Sequence, residues 1–260
     1  MITYKVKYRQ YIVNLYVPEQ KSGRVALLLP GLPMSTNISN ILKPFLDAGT
    51  VVFYPYFSGS YDSGGVFSST QSIRDVAALH PLTQMTEVTE LYFSKKIELG
   101  APRETMLAGM SYGAAIALAG HRNLYQKIVL LSPALLFNLA DMGGDIGKSF
   151  HEQMQSLLHL LKNAHPFTYR TGFSQDLKKF LLGNSKLAQR DSVTSSFIKV
   201  SCPSLVMHGK GDTSVPLELT RSLEQEVNNK NISWHYTDSA HSTSSYSTES
   251  LELIRKFIEE

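Results

Sequence analysis

The chain has 260 residues, 43% of them hydrophobic and 18% charged, with a formal net charge of +3. This length fits a single α/β domain, and the apolar share fills a core and excludes a disordered chain. The small positive excess is not gathered into a Lys/Arg block, which excludes a nucleic-acid footprint.

Residues 2–17 alternate Tyr, Val and Ile with polar residues, the pattern of one or two half-buried strands. Residues 1–10, MITYKVKYRQ, contain no apolar core of a signal peptide. No run of about 18 uninterrupted apolar residues occurs anywhere, so no transmembrane helix is expected. A cytoplasmic protein is the resulting expectation. Lys21-Ser22-Gly23 marks a turn. Residues 24–29 (RVALLL) then form a short apolar run stopped by Pro30-Gly31, as in a strand buried on both faces of a parallel sheet. The same signature recurs at residues 50–54, 105–108, 127–131 and 204–208, and more weakly at 232–236. Helical patterns lie between these strands, at residues 38–48, 83–99 (ended by Gly100), 112–122, 217–228 and 247–260. Alternation of this kind predicts right-handed crossovers and a doubly wound, mostly parallel α/β sheet.

Residues 134–199 interrupt the alternation. They contain helical stretches at 149–162 and 175–182, and loops carrying Gly143-Gly144 and His165-Pro166, but no convincing strand. They read as a helical lid inserted between two core strands, so that residues 1–133 and 200–260 make the core. Apolar lid residues able to contact a substrate or pack onto the core are Leu135, Leu136, Phe137, Leu157, Leu158, Leu160, Leu161, Phe167 and Phe173. Beyond the lid stands Cys202, the one cysteine, which excludes an intramolecular disulfide and fits a reducing compartment. It precedes Pro203 and an apolar run, the setting of a buried thiol.

Gly109-Met110-Ser111-Tyr112-Gly113 fits G-x-S-x-G, with a buried strand before it and an Ala-rich helix after it. A nucleophile elbow needs that setting: Gly109 and Gly113 leave room for close backbones, and Ser111 projects from a strained turn beside a helix N-terminus. A serine hydroxyl is a poor nucleophile until a base takes its proton, and the base must itself be held by a carboxylate. Among eight histidines, His241 is the candidate base, in a loop between the last strand and the last helix. His80, His151, His159 and His165 suit solvated or packing roles. His121 faces a helix C-terminus, and His208 ends a strand as a hydrogen-bonded core residue. Asp212 lies just past the C-terminal end of a buried strand, where catalytic groups gather in open α/β sheets. Asp238 is a rival acid, but a loop neighbour three residues from His241 is poorly placed to hold its ring from behind.

PGLPMS after a strand, GMSYG, HGKGDTSVP and DSAHS, in that order, resemble the α/β-hydrolase superfamily. The likeness spans residues 24–260 and is nearest the lid-bearing esterase, lipase and serine-aminopeptidase-like branches. It implies a triad in the order Ser111, Asp212, His241 and an oxyanion hole made by the N–H groups of Leu32 and Tyr112, because Pro33 has no N–H to give. The family often has His-Gly where this chain has Pro30-Gly31. It often has Arg-Gly-x-Gly-x-Ser where this chain has Ser58-Gly59-Ser60-Tyr61-Asp62-Ser63-Gly64-Gly65, which implies a similar turn with different electrostatics. The implied activity is hydrolysis of a carboxylic ester or related acyl bond of a small-molecule substrate, through an acyl-enzyme.

No metal or nucleotide cofactor is expected, since the sequence has no G-x-G-x-x-G after its first buried strand, no P-loop and no Cys/His ligand cluster. Two other functions fit the same motifs. An acyltransferase or thioesterase would use the same three residues and differ in the acceptor or leaving group. A small-molecule-binding protein on a hydrolase scaffold would bind without turnover and would not need all three.

Overall fold

A computed structural model describes residues 2–34, 37–135, 144–164, 168–170, 175–241 and 245–260. Its centre is an eight-stranded sheet. The first two strands, β1 (Ile2–Tyr8) and β2 (Tyr11–Val17), form an antiparallel hairpin. Next come β3 (Arg24–Leu29), the helix α1 (Ser39–Asp47), β4 (Val51–Pro55) and the helix α2 (Ser69–Leu79). A small hairpin of β5 (Glu87–Thr89) and β6 (Lys96–Glu98) follows. The chain continues through β7 (Glu104–Met110), α3 (Tyr112–Gly120) and β8 (Lys127–Leu131). Before the next strand the described residues include the α-helices α4 (Gly144–Ala164), α5 (Gln175–Leu181) and α6 (Arg190–Ile198). The chain ends with β9 (Ser204–Gly209), α7 (Leu217–Glu226), β10 (Ile232–Thr237) and α8 (Thr248–Glu259). The sheet order is β1-β2-β4-β3-β7-β8-β9-β10. From β4 to β10 every pairing in it is parallel, and β2 joins β4 antiparallel.

Both faces of the sheet are covered, which explains the continuous apolar runs of β3, β4, β7 and β8. Alternate residues point to opposite faces. Leu27, Leu29 and Leu107 join an apolar layer with Ile116, Phe150 and Phe197. Leu28, Ala108 and Val129 join the layer beneath α1 and α8, with Phe45, Ile254 and Ile258. Each fully buried Leu, Ile or Phe contributes about 1.5–3 kcal/mol by leaving water.

One expected element is corrected. Residues 83–99 are not a helix. A 3-10 turn at His80–Gln84 leads into the β5–β6 hairpin. Val88 and Ile97 are its buried positions, a period-two pattern in which β-branched side chains favour strand. Its turn is closed by Glu90, whose carboxylate accepts the N–H groups of Tyr92 and Phe93 at 2.9 and 2.7 Å, while Ser94 takes a positive φ. The helix in this part of the chain is α2, which sequence reading passed over. Its start is signalled by Ser68, whose hydroxyl accepts the Gln71 N–H at 3.1 Å. Helix α6 buries only Val193 and Phe197, too few apolar positions to mark a helix in the sequence, and β2 is almost wholly buried rather than half-buried. Leu136, Phe137, Phe167 and Phe173 lie outside the described residues, as do Gly143, His165 and Pro166.

Candidate active site

Strand β7 delivers its last residue, Met110, to the C-terminal edge of the sheet, and the chain turns sharply into α3. Ser111 sits in that turn at φ 54° and ψ −119°, a conformation that non-glycine residues avoid. The turn is pinned on both sides. The Ser111 N–H donates to Leu131 O at 2.9 Å, and Ser111 O accepts from Ala114, Ala115 and Ala134. Two glycines make the close approach possible. A Cβ on Gly109 would lie 2.4 Å from Gly113 O, and one on Gly113 would lie 2.4 Å from Leu29 O. A strained serine held at the crest of the sheet is what the G-x-S-x-G spacing predicts.

Ser111, His241 and Asp212, separated by 130 and 29 residues in sequence, meet here. His241 Nε2 lies 3.0 Å from Ser111 Oγ, and His241 Nδ1 lies 2.8 Å from Asp212 Oδ2. The carboxylate accepts, so Nδ1 carries the proton and Nε2 is left to accept from the serine hydroxyl. Asp212 is held in turn by four groups. Its Oδ1 accepts the N–H groups of Ser214 and Val215 at 2.9 and 2.8 Å. Its Oδ2 is also 3.3 Å from His208 Nε2. Burial by itself would raise the Asp212 carboxyl. The hydrogen bonds from His208 and His241, the His241 charge and the Val215 amide outweigh burial and hold the group well below the usual carboxylate range.

His208 is fully buried, as its place at a strand end implied. Its Nε2 donates to Val215 O at 3.0 Å, and Thr220 Oγ1 donates to its Nδ1 at 2.7 Å. The Val215 carbonyl can only accept, so it fixes the proton on Nε2, the nitrogen that faces Asp212, while Thr220 holds the other side of the ring, a contact that sequence reasoning did not find. His121 caps the C-terminus of α3, as expected. Burial lowers its pKa, and its Nδ1 accepts the Asn123 N–H at 3.0 Å.

The loop after β4 departs from the Arg-containing pattern, and Asp75 of α2 anchors it. Asp75 is fully buried and accepts from Ser58 N–H and Ser58 Oγ, both at 2.8 Å, and from Tyr11 Oη and Gln71 Nε2, both at 2.9 Å. The Thr168–Arg170 segment lies against the same loop. Tyr61 N–H donates to Thr168 O at 2.7 Å, Arg170 N–H donates to Gly59 O at 2.7 Å, and Tyr169 Oη accepts the Met34 N–H at 3.1 Å.

Leu32 and Tyr112 both flank Ser111. They line a cavity of about 270 Å³ together with Phe150, Met154 and Leu157 of α4 and Phe180 and Leu181 of α5. Of the apolar residues expected to contact a substrate, only Leu157 lines this cavity among the described ones. Leu135 and Leu161 are buried in the core layer and Leu160 is exposed. A second cavity of about 220 Å³ meets Ser111 and His241 from the other side of Leu32 and Pro33.

No family model matches the sequence, and no curated protein matches it. Solved structures do. A serine hydrolase homologue from Coxiella burnetii is 12% identical with a TM-score of 0.58, covering 99% of this chain and 95% of its own. Est1E from Butyrivibrio proteoclasticus is 14% identical with a TM-score of 0.61, covering 99% and 96%. A thioesterase domain from the curacin biosynthetic pathway is 13% identical with a TM-score of 0.59, covering 100% and 99%. The chain therefore has the α/β-hydrolase fold, a scaffold of serine hydrolases, esterases and thioesterases. No helix among the described residues is long and apolar enough to cross a membrane.

Proposed function

We propose that this chain is a serine hydrolase that cleaves a carboxylic ester or a related acyl bond through Ser111, His241 and Asp212. One observation carries the reading: an unbroken hydrogen-bonded line from Ser111 Oγ through the His241 ring to Asp212 Oδ2. His241 Nε2 takes the Ser111 proton as Oγ attacks the carbonyl carbon, and Asp212 stabilises the imidazolium that forms. The carbonyl oxygen becomes an oxyanion beside the N–H groups of Leu32 and Tyr112. His241 returns the proton to the leaving group, and an acyl-Ser111 ester remains. A water, deprotonated by His241, then releases the acid. Each oxyanion donor is worth about 2.7–4 kcal/mol in the transition state.

The helices between β8 and β9 act as a lid in this reading, because Phe150, Met154, Leu157, Phe180 and Leu181 wall the cavity beside Ser111. Thioester hydrolysis and acyl transfer use the same three side chains. Assays of matched oxygen esters and thioesters, with and without an alcohol acceptor, separate these outcomes. The test of the reading itself is turnover of p-nitrophenyl acetate by the wild type and by Ser111→Ala. Loss of essentially all turnover in the variant is expected. Equal rates for the two proteins would overturn it.

A further inference from the structure

The Leu32–Pro33 segment stands between two cavities, and both reach Ser111 and His241. The first is walled by α4 and α5. The second lies on the opposite face of the sheet, lined by Leu28 of β3, Ile38 and Ile41 at α1, Tyr54 of β4, and Met110. Leu28, Ile38, Ile41 and Tyr54 all belong to the apolar layer beneath α1 and α8. Phe150, Phe180 and Leu181 belong to the other layer. The serine thus stands at a crest with an apolar recess falling away on each side.

Packed protein cores leave few voids larger than a water molecule. A recess of about 220 Å³ inside an apolar layer, reaching the reactive serine, is space for a ligand group. An apolar cavity of about 150 Å³ stays dry and takes benzene. Apart from the His241 ring, no titratable side chain but Tyr54 lines the α1-side recess among the described residues, and no Lys, Arg, Asp or Glu lines either recess. A charged group placed in either one would be desolvated without a partner.

We propose that the α1-side recess is a binding subsite for a compact apolar group of phenyl or branched-alkyl size. The substrate is then a neutral ester or thioester with an apolar substituent on each side of the scissile carbonyl, one arm under α1 and the other under α4 and α5. This rests on the serine-hydrolase reading above.

The test uses two ester series on the full chain. One varies the acyl group over a fixed methyl alcohol, from acetate to phenylacetate. The other varies the alcohol over a fixed acetyl, from methyl to benzyl. Ile41→Phe fills the α1-side recess and Met154→Phe fills the other. Ile41→Phe should lower the ratio of kcat/KM for the largest to the smallest ester at least tenfold in one series, and Met154→Phe should do so in the other. Ile41→Ala, which enlarges the recess, should move the ratio the opposite way in the same series as Ile41→Phe, and it serves if the Phe variant does not fold. The subsite is overturned if the Ile41 variants leave both ratios alone, or if both Phe variants depress the same series, in protein that still reacts with a fluorophosphonate. A wild type that neither reacts with fluorophosphonate nor turns over any ester overturns the hydrolase reading instead.

Discussion

The carboxylate of Asp238 pairs with Lys210 Nζ at 2.9 Å on the surface, turned away from the histidine three residues along. The two acids that sequence alone offered to His241 are thus separated by geometry. Asp212 is buried with its Oδ2 2.8 Å from the ring, while the Asp238 side chain is 87% exposed. Asp212→Asn should lower kcat by about 10⁴-fold, because the amide favours the wrong imidazole tautomer. Asp238→Asn should leave kcat within about twofold, since an exposed ion pair contributes at most about 1 kcal/mol. Steady-state kinetics on any turned-over ester checks both, and a large loss in Asp238→Asn would reverse the assignment.

The elbow tolerates no side chain at its two glycines. Gly113→Ala puts a Cβ 2.4 Å from Leu29 O, and Gly109→Ala puts one 2.4 Å from Gly113 O. Backbone atoms on both sides must move. Each variant should lose at least about 1–3 kcal/mol of stability, the usual range for overpacking. Urea denaturation reads this directly, and unchanged midpoints would mean that the turn is looser than described.

His208 should matter to stability and to rate. Removing its ring in His208→Ala leaves Thr220 Oγ1 and Val215 O without their partner and takes one donor from Asp212. Each buried polar group left unpaired costs about 1–3 kcal/mol. The expected outcome is a lower urea midpoint together with a fall in kcat larger than any change in KM. A destabilised variant with unaltered kcat would restrict His208 to a packing role.

The Asp212 shift fixes a pH dependence with a definite sign. Its folded carboxyl lies below its unfolded value of about 3.9, so the ionised native form is favoured and its contribution to stability is full above about pH 5. That contribution drains away as pH falls through the unfolded value towards the folded one. The stability gap between wild type and Asp212→Asn should therefore narrow from pH 6 to pH 3.5 in urea denaturation. A gap that widens on acidification would contradict the shift.

Much of this was legible in the sequence because parallel sheets write themselves plainly. Strands buried on both faces read as unbroken apolar runs ended by Gly or Pro, as in RVALLL before Pro30-Gly31. The elbow was legible because sterics allow few residues at Gly109 and Gly113. The β5–β6 hairpin was not, since its register depends on Val88 and Ile97 meeting a core that local sequence does not contain. Contacts across long separations were also hidden: Thr220 on His208, Asp75 on the loop after β4, and the α1-side recess, which needs Leu28, Ile41, Tyr54 and Met110 in one place. Of the residues walling the cavity beside α4 and α5, Met154 and Phe180 look in sequence like any other apolar position on an amphipathic helix.

The most direct test of the central claim is fluorophosphonate labelling read by intact mass, on the wild type beside Ser111→Ala, Asp212→Asn and His241→Ala. The account predicts one adduct on the wild type, none on Ser111→Ala, and slowed labelling of the other two. A folded wild type that takes no adduct, or a Ser111→Ala variant labelled as fast as the wild type, would contradict it.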